Sequence, residues 1–166
     1  MNRVYIGIGS NLGDRLQNLS KALERLEDVC DIVTVSSVYE TEPVGFSSPN
    51  MFLNMAVAGE TALDPSELLE QLKEIEDELG RRRDSHNKDR EIDLDILLYE
   101  GMIYRNSMVT IPHPEMAHRR FVLVPLAEIA PDAVHPVKNE TIQALLEQCP
   151  VQSVVVRTKH QLSLIH

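Results

Sequence analysis

The chain has 166 residues, 43% of them apolar and 25% charged, with a net charge of −10. That length suits one domain with its own core, and no run approaches the ~18 consecutive apolar residues of a membrane span. The acidic balance argues against a general nucleic-acid binder.

No basic n-region or small-residue cleavage site precedes the first apolar run, so no signal peptide is expected. Cys30 and Cys149 form no metal-type spacing and read as free thiols of a reducing cytoplasm.

Residues 4–8 alternate weakly and predict a first strand, followed by the turn Gly7-Ile8-Gly9-Ser10-Asn11-Leu12-Gly13. A dinucleotide fingerprint would need glycine where Leu12 stands, so a Rossmann unit is excluded. From Asp14, Leu16, Leu19, Ala22, Leu23, Leu26 and Val29 recur at helical spacing. Residues 32–39 are β-branched and predict a second strand. Residues 40–50 hold two prolines, a glycine and two serines and predict a loop. Residues 51–57 predict a third strand.

The second helix has strong end signals. Asp64 with Glu67 forms a capping-box pattern and Pro65 suits the first helical position. Leu68, Leu72, Ile75 and Leu79 line one face, and Gly80 fits the stop. Residues 92–99 predict the next strand. The order β-α-β-β-α-β is the ferredoxin-like pattern, an α+β domain with helices on one face of an antiparallel sheet. Beyond it, residues 101–104 predict a hairpin return, and Ile111-Pro112-His113-Pro114 a rigid extended segment. Residues 121–129 are apolar and read as buried, residues 141–147 as a short helix and residues 154–156 as an extra strand. Residues 1–158 are expected to form the single domain, with 159–166 as a disordered tail.

Strand side chains alternate faces. Ile92, Leu94, Ile96 and Leu98 therefore share one face, and Asp93 and Asp95 share the other, about 6–7 Å apart along the strand. Two such carboxylates repel unless a cation sits between them, and a pair of Mg²⁺ ions suits that arrangement. From the pattern alone, a solvated polar face is the ordinary alternative. Directly upstream, Arg81, Arg82, Arg83, Lys88 and Arg90 place five of the sixteen Lys and Arg within residues 81–90. A cationic loop on an acidic chain points to a small anionic ligand, or to a plain solvated loop. Phosphoryl transfer uses this chemistry: metal ions across phosphate oxygens, and guanidinium groups against the remaining charge.

Several segments in order resemble the 6-hydroxymethyl-7,8-dihydropterin pyrophosphokinases. They are the turn from Gly7 to Gly13; Tyr39-Glu40-Thr41-Glu42-Pro43-Val44-Gly45 with Phe52-Leu53-Asn54; and Gly80-Arg81-Arg82-Arg83 with Arg90-Glu91-Ile92-Asp93-Leu94-Asp95-Ile96-Leu97. Ile111-Pro112-His113-Pro114 and Arg119-Arg120-Phe121-Val122-Leu123 complete the set.

The resemblance implies a ferredoxin-like enzyme that moves the β,γ-pyrophosphoryl group of ATP to the hydroxymethyl oxygen of the dihydropterin, releasing AMP. Asp93 and Asp95 match the positions that hold two Mg²⁺ ions. Arg81, Arg90, Asp93 and Asp95 are the implied catalytic residues. Glu76, Arg81, Arg83, Arg90, Ile96, His113 and Arg119 are implied on the ATP side. Thr41, Pro43, Val44, Phe52, Asn54, Asp93 and Phe121 are implied around the pterin, with Phe52 and Phe121 stacking on it.

For Glu76 the alternative is an exposed helix glutamate; for the phenylalanines it is core packing. Further expectations are a cytoplasmic monomer that uses neither nucleic acid nor membrane. The stretch His86-Asn87-Lys88-Asp89-Arg90 departs from the Arg-Trp-Gly-Pro-Arg of many members, so closure of this loop needs other contacts, such as Arg82 or Lys88 on phosphate. Three rival readings stay open: a ferredoxin-like nucleic-acid-binding module, a metal-dependent phosphohydrolase, and a degenerate member that binds ATP without transfer.

Overall fold

The computed structural model describes residues 1–80 and 90–162. The predicted tail falls partly beyond them. Residues 159–162 carry no helix or strand, though Leu162 packs against the core.

Strands β1 (Asn2–Ser10), β2 (Asp31–Val35), β3 (Tyr39–Thr41), β4 (Phe52–Thr61) and β5 (Asp93–Tyr99) form the main sheet, with helix α1 (Arg15–Leu26) after β1 and helix α2 (Pro65–Glu78) after β4. Every pairing is antiparallel. Strand β1 lies between β4 and β5, and β2 and β3 both pair with β4. This is the ferredoxin-like arrangement that the element order predicts.

The helix signals hold where they are local. Asp14 caps α1 by accepting from the Gln17 N–H. Asp64 and Glu67 form the reciprocal capping box of α2, at 2.9 and 3.1 Å. Gly80 follows with φ +96°, where a side chain would be strained.

The predicted second strand is divided into β2 and β3. Four steps from Val35 to Tyr39 face three from Val57 to Asn54, so the register slips by one residue. The extra length at Ser36–Val38 is stabilised by side chains. Ser36 Oγ accepts from the Ala56 N–H at 2.8 Å, and the Glu128 carboxylate accepts from the Ser37 N–H and hydroxyl and from the Tyr39 hydroxyl. Such a bulge is a built feature of a sheet. Burial, together with the Glu128 carboxylate, pushes the Tyr39 hydroxyl up to about 12.

A second slip corrects the predicted face of Leu98. Tyr5 pairs with Leu98 while Ile6 pairs with Ile96, so Leu97 is the extra residue. Beyond it the alternation inverts. Tyr99 joins Leu94 and Ile96 in one core, and Leu97 and Leu98 lie in the other.

The sheet is covered on both faces, which extends the predicted one-sided packing. On one face Val4, Ile6, Ile8, Leu53, Met55 and Val57 meet Leu19, Leu23, Leu68, Leu72 and Ile75 of α1 and α2. The hairpin of β6 (Tyr104–Arg105) and β7 (Thr110–Ile111) joins this same core through Tyr104 and Ile111. The other face is covered by later segments, where a 3₁₀ turn spans Met116–His118 and α3 (Arg120–Ile129) follows. A hairpin of β8 (Val134–His135) and β9 (Glu140–Thr141) leads to α4 (Ile142–Gln148), and β10 (Val155–Arg157) extends the sheet beside β3. Leu123, Leu126, Ile142 and Leu145 close the second core over Ala56 and Leu97. The predicted hairpin return does not pair with β5, since Tyr104–Arg105 takes β7 as its partner. Two groups on the outward edge of β5 are already used. Leu94 N–H donates to Glu76 at 2.8 Å, and Leu97 carbonyl accepts from His113 N–H at 3.0 Å.

Candidate active site

A cavity of about 170 Å³ opens over one end of the sheet, lined by Thr41, Asn54, Asp93, Asp95, Phe52 and Phe121, among others. The register with β1 sets its polar side chains beside one another. Gly9 of β1 faces Asn54 on one side and Asp93 on the other, and Gly7 faces Ala56 and Asp95. A Cβ on Gly9 would lie 2.4 Å from Asn54 Oδ1, so this glycine makes room for the asparagine head. Asn54 Nδ2 in turn donates to Thr41 Oγ1 at 2.7 Å, which fixes a polar edge on the cavity.

All three phenylalanines of the chain lie on this one cavity. Phe46 meets Phe52 edge-on, with centroids 6.2 Å apart and planes at 85°. The Arg90 guanidinium lies 5.6 Å from the Phe52 centroid, and that of Arg119 lies 5.6 Å from the Phe121 centroid. Each ring thus carries a cation beside it, an attractive arrangement for a π face. A flat heterocycle could enter between aromatic walls while its anionic partner meets the guanidinium groups.

Arg90 Nη1 pairs with Asp93 Oδ2 at 3.0 Å, with side chains only 11% and 21% exposed. Asp93 and Asp95 line the cavity from the same face of β5, as predicted. Among the described residues no group of three His, Cys, Asp or Glu is placed to hold a metal. Two hard carboxylates beside open space fit Mg²⁺, which is usually bound by one or two carboxylates plus substrate phosphates and water. They do not fit a structural zinc centre.

Glu76 lies on α2, outside the cavity lining, and is 6% exposed. Its Oε2 accepts from the Leu94 N–H, the peptide between the two aspartates. It is therefore a buried strut behind the carboxylate pair, and the alternative of an exposed helix glutamate is removed.

His113 is held by its N–H on the Leu97 carbonyl, and the Ile111–Pro112 bond is cis. Its Nδ1 accepts from the Glu115 N–H at 3.2 Å, which leaves Nε2 to carry the proton. Burial, reinforced by the Arg119 charge, lowers its pKa to about 4 against the opposing pull of Asp93 and Glu115. The imidazole is thus a neutral donor at pH 7.

The cavity gathers Arg90, Asp93, Asp95, His113 and Arg119 with Thr41, Val44, Phe52, Asn54 and Phe121. Pro43 is half-buried next to it. Ile96 is 3% exposed and packs in the α1–α2 core, away from the lining. Arg81, Arg82, Arg83 and the 86–89 stretch with Lys88 lie outside the described residues. Phe46 and Glu42 also line the cavity but were not singled out as site residues by sequence. Composition held a signal for Phe46, since the chain has three Phe and no Trp.

Residues 5–131 match the family model described as 7,8-dihydro-6-hydroxymethylpterin-pyrophosphokinase (HPPK). The chain belongs to this family.

A Bacillus subtilis protein named 2-amino-4-hydroxy-6-hydroxymethyldihydropteridine pyrophosphokinase is 47% identical over 130 residues, covering 77% of this chain and 78% of its own. An Aquifex aeolicus protein of the same name is 41% identical over 143 residues, covering 86% of this chain and 89% of its own. The Dictyostelium discoideum folic acid synthesis protein FOL1 is 40% identical across 90% of this chain, which spans only 23% of that longer protein. Among solved structures, Plasmodium falciparum HPPK-DHPS with pteroate superposes with a TM-score of 0.74 at 17% identity, over 89% of this chain and 44% of that one. At that identity the match shows a common fold.

Proposed function

We propose that the chain transfers pyrophosphate from ATP to 6-hydroxymethyl-7,8-dihydropterin, giving the pterin diphosphate and AMP in tetrahydrofolate biosynthesis. The observation that carries this is a single cavity with an aromatic, amide-edged half and an arginine, histidine and carboxylate half. The pterin ring lies against Phe52 and Phe121, with Asn54 and Thr41 reading its edge and Pro43 and Val44 flanking it. The triphosphate lies toward Arg90, His113 and Arg119, joined by Arg81 and Arg83 on the strength of their sequence motif. Glu76 acts on the nucleotide side through the strand it braces.

In the reaction the hydroxymethyl oxygen forms a bond to the β-phosphorus, the bond from that phosphorus to the α-phosphate bridging oxygen breaks, and AMP departs with that oxygen. The hydroxyl proton is lost to water. Arg90 and Arg119 balance charge on the phosphate oxygens, and neutral His113 donates from Nε2. Asp93 and Asp95 would hold Mg²⁺, two ions by the family resemblance, whose chemistry is to neutralise the triphosphate. Alignment of two bound substrates and a fixed field supply the catalysis.

Among the described residues no helix is long and apolar enough to cross a membrane. A single functional unit over residues 1–158, a cytoplasmic setting and a monomeric state complete the proposal. The net charge of −10 supports a reaction without nucleic acid.

The test is Asp95→Ala, assayed for AMP release with and without the pterin and for circular dichroism. The expected result is loss of most pterin-dependent turnover in a folded protein. A near-wild-type rate would overturn the assignment of the carboxylate pair.

A further inference from the structure

We infer that Asn11 is a positioning residue that sets Arg90 against Asp93 and ties that pair to the segment carrying Phe52. The inference rests on the transfer reaction proposed above. Asn11 lies in the turn after β1, is 2% exposed and is not part of the cavity lining. Its Oδ1 accepts from the Arg90 backbone N–H at 2.7 Å, and its own N–H donates to the Arg90 carbonyl at 3.1 Å. One residue therefore grips both main-chain groups of Arg90, which belongs to no strand.

The Asn11 side chain reaches further. Its Nδ2 donates to the Asn50 carbonyl at 3.4 Å, two residues before Phe52. The neighbouring peptide is held in the same way, since Asn18 Nδ2 on α1 donates to the carbonyls of Glu91 at 3.2 Å and Leu12 at 3.0 Å. From this anchored backbone the Arg90 guanidinium meets Asp93 at 3.0 Å and lies over Phe52. An arginine has many rotamers, so its head is placed only when the backbone beneath it is placed. Asparagine suits the position because one amide both accepts and donates. Aspartate would keep the acceptor for Arg90 N–H and lose the donor to Asn50.

The test compares the wild-type chain with Asn11→Ala, Asn11→Asp, Arg90→Ala and the double variant Asn11→Ala/Arg90→Ala. AMP release is measured with ATP and the pterin varied, and amide exchange at Arg90 is measured without substrates. Asn11→Ala should lower kcat by about 10- to 100-fold, the scale of a misplaced catalytic group. It should also remove exchange protection at the Arg90 amide. The double variant should be no slower than Arg90→Ala alone, because both changes remove one function. Asn11→Asp should keep Arg90 protection and more of kcat while raising KM for the pterin.

Unchanged Arg90 protection in Asn11→Ala, or a double variant slowed by the product of the two single effects, would overturn the inference. If Asn11→Ala does not fold, Asn11→Ser enters the same comparison. Absence of AMP release from the wild-type chain would overturn the reaction, while amide exchange would still decide the grip on Arg90.

Discussion

Replacing Glu76 by alanine removes the acceptor that holds the peptide between Asp93 and Asp95. Leu94 N–H points away from β1 on an end strand of the sheet, and Glu76 Oε2 is its partner at 2.8 Å. The carboxylate is 6% exposed, so water does not readily replace it. A hydrogen bond contributes about 0.5–1.5 kcal/mol net, and leaving a buried N–H unpaired costs about 1–3 kcal/mol. Taking about 2 kcal/mol, and about 2–4 °C per kcal/mol for a chain of this size, Tm should fall by about 4–8 °C. Glutamine keeps an acceptor and should cost about half as much. Turnover should fall further than stability suggests, since a shift of about 1 Å in a catalytic group costs on the order of 10²-fold. Thermal melting and pterin-dependent AMP release, measured on Glu76→Ala and Glu76→Gln, read the two effects. An alanine variant that melts within about 1 °C of wild type and turns over within about twofold would refute the strut.

Gly9→Ala should lose pterin affinity with little loss of fold, because its Cβ would stand 2.4 Å from Asn54 Oδ1 and push that amide off Thr41. Pterin titration by fluorescence checks it, and unchanged affinity would show that the amide can move aside. Acid should weaken the protein through His135. Burial, then the Lys138 charge, lowers its pKa below the ordinary 6.5, and its neutral Nδ1 accepts from Val137 and Lys138 N–H. A depressed folded-state pKa means that this contribution is present above about pH 6.5 and is lost as pH falls toward the folded value. His135→Asn, which keeps an acceptor near that place, should lose less Tm than wild type between about pH 7 and pH 5. Equal losses would remove His135 from the acid response.

Local signals made most of the fold legible. The Asp64–Glu67 capping box and the Gly80 stop lie at the ends of the helix they bound, and the Asp93–Asp95 alternation lies within one strand. What stayed hidden was long-range. The break at Ser36–Val38 depends on Glu128 and Ala56, which are distant in sequence. The inverted face of Leu98 depends on one extra residue against β1. Coverage of the second sheet face depends on α3 and α4, whose apolar faces do not name their partner.

The candidate site was legible through motifs, since residues from five separate segments reach one cavity. The strut made by Glu76 was not legible, because helical spacing does not reveal an edge peptide across the core. Phe46 also escaped, because it falls in a loop whose closure over Phe52 is a tertiary event.

The central claim is transfer of a pyrophosphoryl group, in one step, from ATP to the pterin hydroxymethyl oxygen. It is tested most directly by incubating the chain with ATP, Mg²⁺ and 6-hydroxymethyl-7,8-dihydropterin, then identifying products by mass spectrometry with nucleotides quantified against a no-pterin control. The account predicts equimolar AMP and pterin diphosphate, no ADP, and no AMP without the pterin. ADP with a pterin monophosphate, or AMP formed equally without the pterin, would contradict it.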